Sequence, residues 1–443
     1  MTPASRVLHR SGGRPPVAVG GDGIYLHLAD GTEIIDASGG AAVSCLGHAN
    51  PRVAEAIARQ AATMEYAHTG TFSNEPAEAL AHIILDREPG GLAYAYFCSS
   101  GSEGTEAALK LARQYFVEIG QPQRTHFIAR RQGYHGNTLG ALAAGGNMMR
   151  REIYEPMLSS AFSLVSPCFP YRFQRDNESD EQYVDRLANE LAAEFQRVGP
   201  DKVAGFLAET VVGATAGCVV ALPGYFQRVR EICERHGALL ILDEVMCGMG
   251  RTGTMHAWEQ EAVTPDLQVV AKGLGGGFQP IGGVLIARKI VDAINRGSGG
   301  FLHGQTYQAH PVACAAALEV QRIIRDDDLL DNVRIMGGRL AAALTERFGN
   351  HRQVGDIRGR GLFWALELVA KRTSKQVFDP GLRISERIKR AALARGLAIY
   401  PMEGTIDGRQ GAHVIVAPPY IATAKAIDTI VDRLGDAVDA VVT

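Results

Sequence analysis

The 443-residue sequence lacks several features that would indicate particular classes of protein. No apolar run approaches the ~18 residues needed to span a bilayer, and no signal-peptide core precedes the first domain. The 45 basic and 48 acidic residues are intermixed, so no surface for nucleic acid or an anionic membrane is predicted. None of the seven cysteines forms a C-x-x-C pair, which argues against disulfides and zinc. A cytoplasmic location is therefore predicted.

Metal-binding and dinucleotide-binding patterns are also missing. H-x-x-x-H spacing does not occur, and His303 and His310 are too isolated to indicate a metal site, so we predict none. The stretch Gly248 to Gly253 matches G-x-G-x-x-G, but no amphipathic helix opens at its end. A nicotinamide or flavin site is therefore not predicted.

Length and patterning predict more than one domain. A chain of this size exceeds the ~250 to 300 residues of a single hydrophobic core. Residues 1–50 alternate apolar and polar positions around Asp22-Gly23 and Asp30-Gly31, which predicts an antiparallel meander that packs with a small C-terminal domain. We expect a large domain over residues 51–327 and a smaller α+β domain over residues 328–443.

Short β-type runs alternate with helical patterns throughout the predicted large domain. The runs are AYAYFC, THFIAR, VAGFLAE, ALLILDE, LQVVAK and GVLIA. Such alternation is typical of βαβ units, so the fold class is predicted to be α/β with a mostly parallel, doubly wound sheet. In such sheets the ligand crevice lies outside the carboxyl ends of the strands.

Polar residues follow several of these runs. AYAYFC leads into SSGSEGTE, which opens a helix and is either an anion-binding helix start or an ordinary capping box. Tyr134 lies in GYHG just past THFIAR, and Glu209 and Asp243 end two further runs. An acid at a strand end either caps the next turn or pairs with a heteroaromatic nitrogen.

Lys272 ends LQVVAK and is followed by glycines at 273, 275, 276 and 277. A lysine at a strand end is usually a surface cation. The surrounding glycines favour a functional role, because we expect them to let backbone and ligand approach the lysine from several sides.

A lysine, an aspartate, an aromatic ring and a phosphate-type helix start are together what pyridoxal 5'-phosphate (PLP) requires. SGSEGTEAALKLAR, GYHGNT, LDEVMCGMGRTG, AKGLGGGFQPIGG and HGQTYQAHPVACAAAL closely resemble motifs of the class III (ω-amino) aminotransferases of fold type I, over nearly the whole chain. The resemblance implies a PLP enzyme. Lys272 is then the Schiff-base lysine and proton carrier, and Asp243 is the partner of the pyridinium nitrogen.

The same resemblance implies the remaining cofactor contacts. Val245 and Tyr134 cover the two faces of the cofactor ring, and Gly101 and Ser102 bind its phosphate. Thr306 reaches the phosphate of the neighbouring subunit, which implies a homodimer with shared active sites, or a tetramer built from it. Glu209 matches the family's acid near the substrate entrance, although AETVVGATAG departs from the common E-P-x-x-G form.

Substrate preference is less specified by the sequence. Arg409 lies near the position of a mobile carboxylate-binding arginine in many relatives, but its spacing differs by about one residue, so a plain loop cation is the alternative. Ala42 occupies a region where relatives often carry tryptophan, which predicts a wider pocket mouth. We expect transfer of the terminal amine of an ω-amino acid or diamine, of diaminobutyrate, β-alanine or polyamine type, to pyruvate or 2-oxoglutarate.

Three alternatives to this activity stay open. An aminomutase and a dialkylglycine-type decarboxylase share the fold, but the family's decarboxylases place a glutamine where this chain has Met246. A non-catalytic scaffold is the third, and the presence of Lys272, Asp243 and Thr306 argues against it.

Overall fold

A computed structural model describes residues 5–10 and 14–442. The first four residues and residues 11–13 of the predicted N-terminal segment, and Thr443, lie outside the described residues. The bounds of the three predicted regions remain a prediction.

Seventeen strands and fourteen helices are found in the described residues. The strands are β1 (Ala18–Asp22), β2 (Tyr25–Leu28), β3 (Glu33–Asp36), β4 (Leu92–Cys98), β5 (His126–Arg130), β6 (Phe162–Val165), β7 (Val203–Glu209), β8 (Val211–Val212), β9 (Val219–Val220), β10 (Leu239–Asp243), β11 (Leu267–Val270), β12 (Gly282–Ala287), β13 (Val354–Arg360), β14 (Phe363–Leu368), β15 (Leu397–Ala398), β16 (Tyr400–Glu403) and β17 (Ala412–Val416). The helices are α1 (Gly39–Ala42), α2 (Pro51–Thr63), α3 (Glu75–Ile84), α4 (Gly101–Glu118), α5 (Leu139–Ala144), α6 (Met148–Arg151), α7 (Pro170–Phe173), α8 (Asp180–Val198), α9 (Tyr225–Arg235), α10 (Arg288–Arg296), α11 (Pro311–Asp326), α12 (Leu329–Phe348), α13 (Ile384–Leu393) and α14 (Ala424–Val442).

The central sheet has seven strands in the order β4-β12-β11-β10-β7-β5-β6. β12 runs antiparallel to both of its neighbours, whereas the other pairs are parallel. β7 and β10 are buried along their whole length, which explains why their sequences read as continuous apolar runs. The predicted α/β fold with a mostly parallel sheet is confirmed.

Helices cover both faces of this sheet because successive strand residues point to opposite sides. Phe206, Leu240 and Leu242 belong to a core formed with α3, α8 and α9, whereas Leu207 and Ile241 belong to one formed with α4 and α10. This two-sided burial fixes the register of the strands, and with it the residues that project from their carboxyl ends.

The N-terminal meander and the last third of the chain share a sheet. β1, β2 and β3 pair antiparallel, and β15 adds to β3 in parallel, joining Ile35 to Leu397. A separate antiparallel sheet has the order β13-β14-β17-β16 and packs with α12, α13 and α14. No helix of the described ranges combines the length and the hydropathy needed to cross a bilayer.

Candidate functional site

The carboxyl ends of β4, β5, β7, β10 and β11 meet at one cavity. Its volume is about 160 Å³, and it is lined by Gly101, Ser102, Tyr134, His135, Gly136, Glu209, Asp243, Val245, Met246, Ala271 and Lys272. The cavity therefore brings together all the predicted site residues of the central sheet, as expected for a parallel α/β sheet.

Lys272 follows β11 by two residues and begins a single 3-10 turn with a positive φ of 42°. Its amine has no hydrogen bond or ion pair within the described part of the chain. Desolvation lowers the pKa of Lys272 to about 8, even though Asp243 and Glu209 act electrostatically in the opposite direction. Near neutral pH an appreciable fraction of this amine is therefore uncharged and nucleophilic.

The glycines after Lys272 let the backbone turn and pack closely, as expected for their backbone, and none of them is among the residues that line the cavity. A Cβ on Gly275 would lie 2.5 Å from Ile281 Cγ2, and Gly276 and Gly277 have φ values of 59° and 87°. The nearest side-chain atoms to Gly276 and Gly277 belong to Cys45 and Val43. These glycines therefore let the chain turn sharply against its own core.

Asp243 ends β10 beside a histidine that sequence reasoning missed. Its Oδ2 lies 2.8 Å from His135 Nδ1, and its Oδ1 accepts the backbone N–H of Val245 at 3.0 Å. Both side chains are buried. These two contacts hold the acid in one orientation. The other ring nitrogen, Nε2, is buried without a partner.

Glu209 organises the loop that carries Tyr134. Its carboxylate accepts the backbone N–H of Tyr134 at 3.0 Å and that of Gly213 at 2.8 Å. Burial raises the pKa of Glu209, while His135 and these two donors act against that rise. The acid thus ties two loops together directly behind the cavity.

The start of α4 combines a helix cap with unpaired backbone N–H groups. Ser100 Oγ accepts the N–H of Glu103 at 3.3 Å, and Glu103 Oε2 accepts the N–H of Ser99 at 2.7 Å. The N–H groups of Gly101 and Ser102 have no acceptor in the described ranges. A capping box and an anion-binding helix start are therefore compatible in SSGSEGTE. The cap uses the N–H groups of Ser99 and Glu103, whereas those of Gly101 and Ser102 stay available to an anion.

Ser102 and Val245 are fixed by close contacts with their neighbours. Ser102 Oγ accepts the N–H of Asn137 at 3.0 Å, which leaves its own hydrogen free to donate. A Cβ on Gly136 would lie 2.5 Å from Ser102 Oγ, and one on Gly101 would lie 3.0 Å from Val245 Cγ2. Glycine is required at position 136 for this approach, and at position 101 any Cβ would press on the Val245 side chain.

Three predicted residues lie outside the lining of the cavity. Thr306 is on an exposed turn, where its carbonyl accepts the Tyr66 hydroxyl at 3.0 Å. Arg409 is on an exposed loop, and its guanidinium donates to Glu152 Oε1 at 2.8 Å. Ala42 is buried in an apolar cluster that also contains Met246.

The family model for class III aminotransferases matches residues 10–438. The chain belongs to this family. An uncharacterized aminotransferase of Schizosaccharomyces pombe is 50% identical over 97% of this chain and 94% of its own. This chain is also 33% identical to a diaminobutyrate–2-oxoglutarate transaminase of Halomonas elongata, over 96% of this chain and 90% of the relative. For a hypotaurine/taurine–pyruvate aminotransferase of Paracoccus denitrificans, the identity is 34% over 96% and 91%.

Solved structures agree with this assignment. An amine transaminase from an uncultivated Pseudomonas species, in its PLP-bound form, superposes with a TM-score of 0.93 and 32% identity over the full length of both chains. The cofactor of class III aminotransferases is PLP. The cavity suits such a group, because its lining includes residues with unpaired N–H donors, a buried acid and a desolvated lysine amine.

Proposed function

We propose that this aminotransferase transfers the terminal amino group of an ω-amino acid or diamine, of diaminobutyrate, β-alanine or polyamine type, to pyruvate or 2-oxoglutarate. The observation that carries the proposal is the lysine amine of lowered pKa, enclosed with a buried aspartate at the end of a parallel sheet. The names of two relatives support the donor and acceptor classes, since one acts with diaminobutyrate and 2-oxoglutarate and the other with pyruvate. A cytoplasmic location is part of this proposal.

The chain's own residues have distinct roles in this proposal. Lys272 binds the cofactor and moves a proton between carbon centres, and Asp243, oriented by His135, keeps the ring nitrogen of the cofactor protonated. Gly101 and Ser102 bind the phosphate, and Tyr134 and Val245 flank the ring. Glu209 holds the Tyr134 loop, and Ala42 packs in the apolar cluster that contains Met246, a residue of the cavity lining. When bound, PLP supplies an electron sink that lets the proton beside the reacting nitrogen leave.

We expect cofactor uptake to follow the titration of Lys272. An amine attacks a carbonyl only in its neutral form, and the pKa of Lys272 is about 8. The initial rate of PLP incorporation into apoenzyme should rise about tenfold per pH unit below pH 8 and level off above it. Stopped-flow absorbance between pH 6 and 9.5 measures this profile. A midpoint near the ~10.4 of an ordinary lysine would contradict it.

The active sites are proposed to be shared between two subunits. Thr306 is not among the residues that line its own cavity, and Phe72, Leu302 and Tyr307 have exposed apolar side chains. Phe72 lines a surface cavity together with Gln308 and Ala309, which follow Thr306 closely in the sequence. Exposed apolar side chains of this kind are typical of subunit interfaces. A second copy would cover them and bring its Thr306 to the phosphate.

Removing the Thr306 hydroxyl should weaken PLP binding without changing the oligomeric state. Thr306→Val loses one hydrogen bond to a charged group, so the PLP dissociation constant should rise about tenfold. Equilibrium dialysis measures it, with Thr345→Val as the control, because the Thr345 hydroxyl bonds only to its own helix. A hybrid dimer of one Thr306→Val subunit and one Lys272→Ala subunit should contain one site in which both Lys272 and Thr306 are intact. That site should bind PLP with normal affinity. A monomeric protein, or hybrids with no such site, would exclude sharing.

A donor and acceptor panel tests the reaction itself. Holoenzyme is incubated with 2,4-diaminobutyrate, β-alanine and a diamine, each with pyruvate or 2-oxoglutarate, and consumption of the keto acid is followed. Release of carbon dioxide would favour the decarboxylase. Isomerised donor without consumption of keto acid would favour the aminomutase.

A further inference from the structure

Arg150 is a cation without a counter-ion beside the candidate site. Three arginines lie on or against α6, and two of them are neutralised by acids: Arg151 bonds to Glu155, and Arg409 bonds to Glu152. Arg150 has no ion pair in residues 5–10 and 14–442, and its Nε is buried without a hydrogen-bond partner. Burial of an unpaired guanidinium raises the free energy of the folded protein unless a ligand supplies the missing hydrogen-bond acceptors.

The position of this cation connects it to the cavity. The Arg150 guanidinium carbon lies 4.6 Å from the centre of the Tyr134 ring, which lines the cavity. Its charge also contributes to the lowered pKa of Lys272, so the two cations are electrostatically close. The cation–π contact holds the guanidinium in place while leaving its N–H donors free.

We infer that Arg150 binds the carboxylate of the amine donor and of the keto-acid acceptor, and so determines the substrate class of the enzyme. The inference rests on the proposed function. A planar guanidinium matches a carboxylate with two parallel hydrogen bonds, whereas it repels a second ammonium group. The preferred donors are therefore amino acids, and diamines without a carboxylate are disfavoured. Arg409, paired with Glu152 on an exposed loop, is the weaker candidate for this role.

Matched donors separate carboxylate recognition from a general effect on the site. β-Alanine and propylamine share a three-carbon skeleton and differ in the carboxylate, and 4-aminobutyrate and butylamine form a second pair. Arg150→Met keeps an unbranched side chain and removes the charge that lies over the Tyr134 ring. We expect it to lower kcat/KM by about 10- to 100-fold for the amino acids, mainly through KM, and by less than about threefold for the alkylamines. For the amino acids, the kcat/KM of Arg150→Lys should lie between the values of the wild type and of Arg150→Met.

Equilibrium binding gives a readout that is independent of turnover. Holoenzyme is titrated calorimetrically with propanoate and, as the neutral analogue, with propanamide. The wild type should bind propanoate more tightly, and Arg150→Met should bind the two equally. Arg352→Met removes an exposed arginine elsewhere and should leave this difference unchanged.

Two results would overturn the inference. Equal loss for amino acids and alkylamines in Arg150→Met would mean that the arginine only supports the Tyr134 ring. A selective loss in Arg409→Met with none in Arg150→Met would assign the carboxylate to the loop arginine instead. A wild type that transfers no amine at all would defeat the proposed function, whereas the propanoate titration would still test Arg150.

Discussion

Replacement of Lys272 by alanine is expected to reduce turnover by at least about 1000-fold, because no other group can form the covalent bond to the cofactor and carry the proton. Lys272 is the only lysine that lines the cavity in the described part of the chain. PLP should still bind, since the α4 N–H donors, Ser102 and Asp243 remain. The spectrum of the variant should therefore be that of the free aldehyde. Steady-state assays and absorbance after gel filtration measure the two effects.

Borohydride provides the matching structural control, because it fixes a carbonyl compound joined to a lysine amine as a stable secondary amine. Peptide mass mapping of the treated wild type should place the cofactor on Lys272, and Lys425→Ala, an exposed lysine at the start of α14, should behave as wild type. Labelling of another lysine, or none, would refute the assignment of Lys272.

Replacement of Asp243 by asparagine is expected to cost about 100-fold or more in kcat at similar cofactor content. The change keeps the size of the side chain and the bond to Val245 but removes the negative charge that faces the cavity. A neutral amide does not hold a proton on a heteroaromatic nitrogen, so the cofactor withdraws electrons less strongly.

A second measurement distinguishes lost charge from altered structure in this variant. Asp243 raises the pKa of Lys272 electrostatically, so Asp243→Asn should move the midpoint of PLP incorporation below pH 8. Glu244→Gln is a matched control: this neighbouring buried acid bonds Thr210, the Ala257 and Trp258 backbone and Gln268, and it is not among the main causes of the lowered pKa of Lys272. It should lower thermal stability while leaving the midpoint near pH 8. An unmoved midpoint in Asp243→Asn would contradict the electrostatic coupling.

Six of the seven strands of the central sheet could be predicted from the sequence, most securely those that are buried on both faces. Continuous apolar runs therefore mark β7 and β10, and the residue that ends each run projects from the same sheet edge. β6 and β13 were missed: β6 is a short edge strand with only one buried residue, and β13, VGDIRGR, carries charged residues on its partly exposed faces. Edge strands lack the pattern that burial imposes.

Site residues were harder to predict when their partners are distant in sequence. His135 bonds an acid 108 residues further along, a contact that only the parallel pairing of strands creates, although its place inside GYHG was a usable signal. Arg150 follows two exposed methionines on a short helix, so nothing in its spacing indicated that it would reach the Tyr134 ring. The glycines after Lys272 indicated a close approach of other parts of the chain, but the neighbours themselves, from residues 43–45 and 281, could not be predicted from local sequence.

The pairing of β15 with β3 can form only late in synthesis, because the two strands are far apart in the sequence. β3 leaves the ribosome about 360 residues before its partner, which corresponds to roughly 20 to 70 s of synthesis at about 5–20 residues per second. Throughout that interval one edge of the meander presents unpaired backbone groups, which other nascent chains can join. Proteins cut short before residue 397 would keep this edge open permanently, so aggregation is the expected fate of prematurely terminated chains.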